Sequence, residues 1–435
     1  MLYFSKGSPE YAFSHEELRA AVYATLDKLG ASGRFGARGI SGAPRKVLVI
    51  PPDGTRSFSR AGEITRYIYD YYGSALTDIL PALGTHFAMT PAEIERMFPG
   101  VPASLFRVHD WRYDVVTVGT VPAEYVAEVS GGVVNYPWPA QVNRLLVEGG
   151  HDLILSVGQV VPHEVLGMAN YNKNIFIGTG GAEGINRSHF IGAAYGMERV
   201  MGRAINPVRQ VLNYASEHFT PHLPIVYMQT VVSKGDDGLQ LRGFYAGDDI
   251  ECFLQASELS LKVNFRMTKR PMHKVVVWLD PEEFRSTWLG NKSIYRTRMA
   301  IADGGELIVM APGLRQFGED PAIDRLIRKY GYRTTPEVMR FVEENADLRE
   351  NLSVAAHLIH GTSEGRFRIV YAPGHLSREE IEGVGFEYAD LAVTMQKYDP
   401  QRLTDGWNTV GGDGAPEEIY YISNPALGLW AYNNV

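Results

Sequence analysis

A single cysteine, Cys252, stands in 435 residues, so the chain can form neither an internal disulfide framework nor a metal centre built from several thiolates. A reducing compartment is the simpler setting for such a sequence. Excess positive charge is also missing. With 42 Lys and Arg against 50 Asp and Glu, the net charge is −8, the wrong sign for a partner bound by displacing counterions from phosphates. A small anionic ligand needs only a local positive site and is not excluded. No run of apolar residues is long enough to cross a bilayer. The N-terminal stretch MLYFSKGSPEYAFSHEELRAA lacks a basic region followed by an apolar core and a small-residue cleavage site. The expectation is a cytoplasmic protein with neither membrane nor nucleic acid as partner. Repeats and low-complexity runs are absent as well, and a composition of 45% hydrophobic and 21% charged residues is that of an ordinary globular chain long enough for two domains.

The order of elements points to an α/β fold: two α/β domains with mostly parallel sheets and a cleft between them. Ser14, with Glu17 three residues on, opens a helix to Leu29. Residues 30–42 read as loop. Strands are expected at 46–50, 78–83 and 152–157, the first ending at Pro51-Pro52 and the second in Gly84-Thr85-His86, with helices at 60–72 and 90–97. Residues 130–143 read as turn-rich, leading to a helix that ends near Gly149. Further on come helices at 190–200 and 208–216, a strand at 225–232, a polar hairpin at Asp236-Asp237-Gly238, and a helix at 250–260. Basic residues 266–271, ending in Pro271, read as an inter-domain linker. The second domain alternates again: strand 274–279, helix 282–302, strand 305–310, helices 321–330 and 336–345, strand 367–371. The expected division is 1–266, 272–398 and a tail, 399–435, left open between the second domain and a return to the first.

Chemistry concentrates in VVPHEVLGMANYNKNIFIGTGGAEGINRSH, residues 160–189. It holds His163, which can exchange protons near neutrality, Lys173, whose amine can be acylated, and His189, which can bind a metal. Gly178, Gly180, Gly181 and Gly184 would let the main chain approach a bound group. His163 follows the third strand, as Asp53, Thr55 and Arg56 follow the first and His86 the second, and open α/β sheets bind ligands at such strand ends.

Together with the DGTR segment at 53–56 and the LGTH segment at 83–86, this stretch resembles the lactate racemase family of nickel-pincer 2-hydroxyacid racemases and epimerases. The resemblance implies that Lys173 carries a nickel-pincer nucleotide, a nickel pyridinium-3-thioamide-5-thiocarboxylic acid mononucleotide, through a thioamide. It further implies that His189 ligates the nickel and that His86 and His163 are the acid/base pair. Arg56 would hold the substrate carboxylate or keto oxygen, and Asp53 and Thr55 would meet the nucleotide. Enzymes that make the cofactor would be partners. Trp288 and, four residues on, Lys292 fall where the family places an aromatic residue and a lysine facing the active site. Leu289 stands where family members often carry glutamine, which counts against lactate itself, and the prolines usual after DGTR are missing.

The residues leave two rivals open. Three imidazoles, His86, His163 and His189, could instead hold zinc around an activated water for hydrolysis, or the same groups could form a non-catalytic sugar-acid or nucleotide-binding site. For the substrate, the segments 357–366 and 372–379 are dense in hydrogen-bonding side chains, including His357, His360, Arg366 and His375. A lining of that kind suits a polyhydroxylated acid better than lactate, since each buried hydroxyl needs a partner. The stretch resembles the family branch that interconverts D-gluconate and D-mannonate at C2, with lactate or another short 2-hydroxyacid as the alternative.

Overall fold

The computed structural model describes residues 1–32, 44–235, 238–411 and 416–432; the turn at Asp236 and Asp237 and most of the expected loop at 30–42 lie outside these. The chain divides into two compact units, Met1–Ile191 with Val200–Asn264, and Gly192–Arg199 with Phe265–Val435.

The strands of the first unit are β1 (Leu2–Gly7), β2 (Val47–Ile50), β3 (Leu76–Ile79), β4 (Val115–Val121), β5 (Trp138–Asn143), β6 (Leu153–Gln159), β7 (Pro162–His163), β8 (Gly167–Met168), β9 (Ile225–Gly235) and β10 (Gly238–Gly247). Every residue of β2 and β6 is buried, as strands covered on both faces require. The main sheet runs β1-β10-β9-β6-β2-β3, parallel from β9 to β3 and antiparallel at the β1-β10-β9 edge. β2 has β3 on one side and β6 on the other, so the winding reverses at the β2/β6 pair. Ligands of open α/β sheets bind outside the strand ends at such a reversal.

Helix His15–Ala31 starts with the Ser14/Glu17 capping box, as expected, and buries Leu18, Val22, Leu26 and Leu29 in the same core as Ile64 and Ile68 of helix Ala61–Tyr72. Other elements depart from the sequence pattern. The turn-rich stretch before Asn143 contains β5, which pairs with β4, a strand the pattern did not show. The helix expected from residue 190 begins at Ala182, so His189 sits within a helix. A methyl at Gly184 would stand 3.0 Å from the Pro139 carbonyl oxygen, so glycine suits this close approach of helix and strand. Residues 265–268, part of the expected linker, are a strand.

In the second unit the strands are β11 (Phe265–Thr268), β12 (Met272–Trp278), β13 (Ile301–Ala311), β14 (Arg368–Pro373), β15 (Glu387–Tyr388), β16 (Gly406–Val410), β17 (Glu417–Ile422) and β18 (Leu429–Tyr432). The sheet order β15-β14-β13-β12-β17-β16 is parallel except at the β16 edge. The tail does not return to the first unit. β17 pairs with β12 in the centre of this sheet, and β18 supplies the backbone partners that turn the expected linker into β11. The helix expected over 282–302 is also shorter. Asp280 accepts from the amides of Glu282 and Glu283 and holds them in a turn, so helix begins only after Ser286, as Thr287–Gly290 followed by Lys292–Tyr295. Helix Leu352–His360 replaces the expected connection, putting His357 and His360 on its buried last turn.

Replacing Gly62, inside helix Ala61–Tyr72, with alanine sets two effects against each other. Helix propensity favours alanine by about 1 kcal/mol, but the added methyl would lie 1.9 Å from the Met97 carbonyl oxygen, a backbone atom that cannot swing aside. Overpacking costs about 1–3 kcal/mol. Gly62→Ala is therefore expected to lower the urea midpoint, and a rise would contradict this close approach.

Candidate active site

Three strand ends of the first unit deliver side chains to one region. After β2, Pro51 and Pro52 stop the ladder and Asp53 caps a tight turn, Gly54–Ser59, accepting from the Thr55 amide at 3.3 Å and the Thr55 hydroxyl at 2.5 Å. The other Asp53 oxygen accepts from Nδ1 of His86, which follows β3, at 2.6 Å. Burial would raise the Asp53 carboxyl, but the hydrogen bond and charge of His86, with Thr55 and Arg56, hold it below the usual range. With Nδ1–H committed to Asp53, the exposed His86 ring presents Nε2 as its other nitrogen.

His163 arrives after β6 in the short β7/β8 ribbon and is buried. Its Nδ1 accepts the Val165 amide at 3.2 Å, which places the proton of the neutral ring on Nε2. The Glu164 carboxylate stands 3.8 Å from the same nitrogen. Burial pushes the His163 imidazole well below its ordinary value; Lys173, Arg56 and His189 push the same way, against Glu164.

Lys173 is half-buried, just before a single π-helical turn, Asn174–Gly178, in which the Thr179 amide reaches the Asn174 carbonyl at 2.9 Å. Such turns recur at functional sites. Asn170 and Tyr171, just upstream, both have positive φ, 66° and 58°. Left-handed backbone at non-glycine residues costs on the order of 1–3 kcal/mol each and persists only where surroundings impose it. Burial, then Arg56 and Arg209, bring the Lys173 amine down to about 7, with Glu164 and Asp53 opposing.

His189, eight residues into helix Ala182–Tyr195, donates Nδ1–H to the Ile185 carbonyl at 2.7 Å, leaving Nε2 as the free donor atom. Metal-binding histidines are typically oriented by a bond of this kind through the other nitrogen. Burial lowers its pKa, Lys173 adds to the shift, and the Ile185 carbonyl and Glu164 oppose it. The mutual electrostatic influence of Asp53, Arg56, His163, Lys173 and His189 places these expected residues together.

Two expectations need correction. The glycines make room for protein, not for a ligand: a methyl at Gly178 would meet the Ala82 side chain at 2.6 Å, at Gly180 the Phe176 carbonyl at 1.8 Å, and at Gly181 the Gln141 side chain at 2.5 Å. A three-histidine zinc centre is not formed either. Among the described residues, no three of His, Cys, Asp and Glu stand in an arrangement that could hold a metal by themselves.

In the second unit, the Trp288 ring packs on His357 with centroids 4.4 Å apart. His357 Nε2 bonds the Tyr332 hydroxyl at 2.9 Å, and that hydroxyl bonds Thr287 at 2.7 Å. Lys292 lies 5.6 Å from the Phe284 ring centre, and His360 is buried beside Tyr295. Arg366 is engaged by Asp303 at 2.7 Å and by the carbonyls of Arg298 and Ile301, so it ties backbone segments together. His375 is exposed in the turn after β14. Sequence reasoning missed Glu164 and Arg209. Glu164, adjacent to His163, was open to notice; Arg209, a lone arginine in an amphipathic helix, gave no signal.

The fold and this grouping define an α/β protein whose first unit brings Asp53, Arg56, His86, His163, Lys173 and His189 into one region. Residues 8–199 match the lactate racemase N-terminal domain. Two solved structures share the fold. One is a protein from Thermotoga maritima, 24% identical, covering 99% of this chain and 100% of that one at a TM-score of 0.79. The other is the lactate racemase apoprotein from Thermoanaerobacterium thermosaccharolyticum, 17% identical, covering 93% and 92% at 0.66. No curated protein matches the chain in sequence.

The depressed Lys173 amine makes stability pH-dependent. The unfolded chain binds this proton below about 10.5, whereas the folded chain binds it only below about 7. Stability from this group is thus full above the higher value and lost as pH falls through the lower one. Lys173→Met should raise the denaturation midpoint at pH 7.5 and flatten its rise between pH 7 and 10. An unchanged slope in paired melts would contradict a neutral amine in the fold.

Proposed function

We propose that this chain is a nickel-pincer nucleotide-dependent 2-hydroxyacid racemase or epimerase that inverts C2 by reversible hydride transfer through a 2-keto acid. The observation that carries the reading is the pairing of a lysine amine held near neutrality with His189, whose Nδ1 is tied to Ile185 and whose Nε2 is left as a donor. An uncharged amine can form an amide-type bond to the cofactor, and a neutral imidazole is a normal nickel ligand. The donor set therefore fits the group. When bound, the cofactor supplies an acceptor and donor for the C2 hydrogen as hydride, which avoids removing that weakly acidic hydrogen as a proton.

The chain's own residues then bind substrate and move the hydroxyl proton. Arg56 suits a carboxylate or keto oxygen through its forked donors. Asp53 fixes His86 through Nδ1 and so presents its Nε2, whereas the Val165 amide on Nδ1 of His163 puts the proton of the neutral ring on Nε2, where it can donate a hydrogen bond to a substrate oxygen. Each imidazole would serve as general base for one epimer and, in its protonated form, as general acid for the other. Asp53 and Thr55 would also meet the nucleotide. Roles for Trp288 and Lys292 rest on the family resemblance, and a rise in KM for Lys292→Ala is their readout.

For the substrate we place an aldonate such as D-gluconate/D-mannonate ahead of lactate. Support comes from Leu289 standing in place of glutamine, whereas His357, Tyr332 and Thr287 are bonded to one another. Arg366 and Glu364 no longer contribute, being engaged with Asp303 and Thr335.

Protein co-expressed with the cofactor-synthesis enzymes should show by intact mass one adduct on Lys173 and one nickel. Lys173→Ala should lose the adduct and His189→Ala mainly the nickel; an unmodified Lys173 in co-expressed protein defeats the assignment. On a panel of 2-deuterated 2-hydroxyacids, the label should stay at C2 through epimerisation, and His86→Ala and His163→Ala should each abolish full turnover. Turnover of lactate with none of gluconate or mannonate would overturn the aldonate choice and leave the cofactor assignment standing.

A further inference from the structure

Arg209 is fully buried on helix Pro207–Phe219, and no carboxylate pairs with it among the described residues. A charge in that position is costly unless its donors are matched. Its Nη1 donates to the Asn170 carbonyl at 3.3 Å and to the Asn172 side chain, and Nη2 donates to the Met168 carbonyl at 2.6 Å. Its Nε has no partner among the described residues, and the guanidinium lies 4.3 Å from the Phe253 ring centre. The same helix holds the arc at a second point, where the Asn172 amide donates to Asn213 at 2.8 Å and Ser216 at 3.1 Å. Tyr171, inside the arc, is wedged between Phe253 and Tyr227. The left-handed residues Asn170 and Tyr171 lie within the clamped arc Met168–Asn172, and Lys173 comes next in the chain.

We propose that Arg209, with Asn172, is a positioning residue that imposes the left-handed arc at Asn170 and Tyr171 and thereby sets where the Lys173 amine stands. A hydrophobic residue would fill the same volume without the desolvation cost, but it could not bridge two backbone carbonyls and a side-chain amide in one plane. Lysine could not either, having one point of charge in place of a fork. The charged or titratable groups acting on the Lys173 amine are Arg56, Glu164, Arg209 and Asp53, with His163 and His189 coupled to it in turn. Arg209 therefore acts on this amine both by holding the arc and by its charge. The inference builds on the reading of Lys173 as the cofactor lysine.

The test reads the bare amine, without cofactor. Full-length protein is labelled with a trace of acetic anhydride across pH 6–11, and acetylation of the Lys173 peptide is measured by mass spectrometry, with circular dichroism and melting on the same samples. Wild type should give a midpoint near 7. Arg209→Met should raise it by one unit or more, cutting labelling at pH 7 by about fivefold or more, and Arg209→Lys should not restore it fully. The double variant Asn213→Ala/Ser216→Ala releases the Asn172 side chain without touching any charge and should also raise the midpoint; it decides the matter if Arg209→Met does not fold. A merely structural arginine would lower the melting temperature and leave the midpoint in place. Folded variants with the wild-type midpoint would overturn the proposal. A wild-type protein that carries no adduct on Lys173 after co-expression would defeat the cofactor reading instead, and the two failures are separate.

Discussion

The parallel ladder of the first unit must end, and prolines stand at its end, with one last bridge between Pro52 and Ala82. Pro51 and Pro52 follow β2, Pro81 follows β3 and Pro162 lies just beyond β6, each lacking the amide that another rung would need. Because the strands are parallel and in register, their ends fall at one edge of the sheet, and the loops that carry Asp53, His86 and His163 start there together. The reversal of winding between β2 and β6 opens the sheet edge at the same place. Chemistry-bearing residues more than a hundred positions apart therefore share one neighbourhood.

Within it the decisive force is desolvation. Lys173, His163 and His189 all lose affinity for protons mainly because burial disfavours their charged forms, and their mutual repulsion adds to the effect. Glu164 and Asp53 oppose it without reversing it. The outcome is that the two buried imidazoles are held neutral and the Lys173 amine is brought near neutrality. Backbone and carboxylate partners then decide which nitrogen carries each proton: Asp53 for His86, the Val165 amide for His163, the Ile185 carbonyl for His189. Such a site is made by hydrogen bonds to the far side of each ring as much as by the rings themselves.

The second unit shows how similar residue types come to different uses. His357 and Arg366 are both polar residues in a stretch dense with hydrogen-bonding groups. His357 braces Trp288 through stacking and joins Tyr332 and Thr287 in a buried chain, whereas Arg366 fastens two backbone carbonyls and Asp303. The distinction depends on which atoms lie within 3 Å or so, and composition carries no such information.

Local signals in the sequence determined the strand–loop–helix order around Asp53, His86 and His163, because apolar runs cut by proline and a capping box such as Ser14/Glu17 act over a few residues. The grouping of His163, Lys173 and His189 in one segment, and its likeness to the lactate racemase family, were legible for the same reason. Tertiary structure alone decided the rest. The helix from Ala182 packs its Gly184 against Pro139 and Trp138; residues 265–268 become a strand because Leu429–Tyr432 lies alongside; and β17 enters the second sheet between β12 and β16. It also decided the role of Arg209, whose partners sit on a turn some forty residues earlier in the chain. Contacts of that range depend on how the whole chain closes on itself, and a residue's neighbours in sequence do not record them.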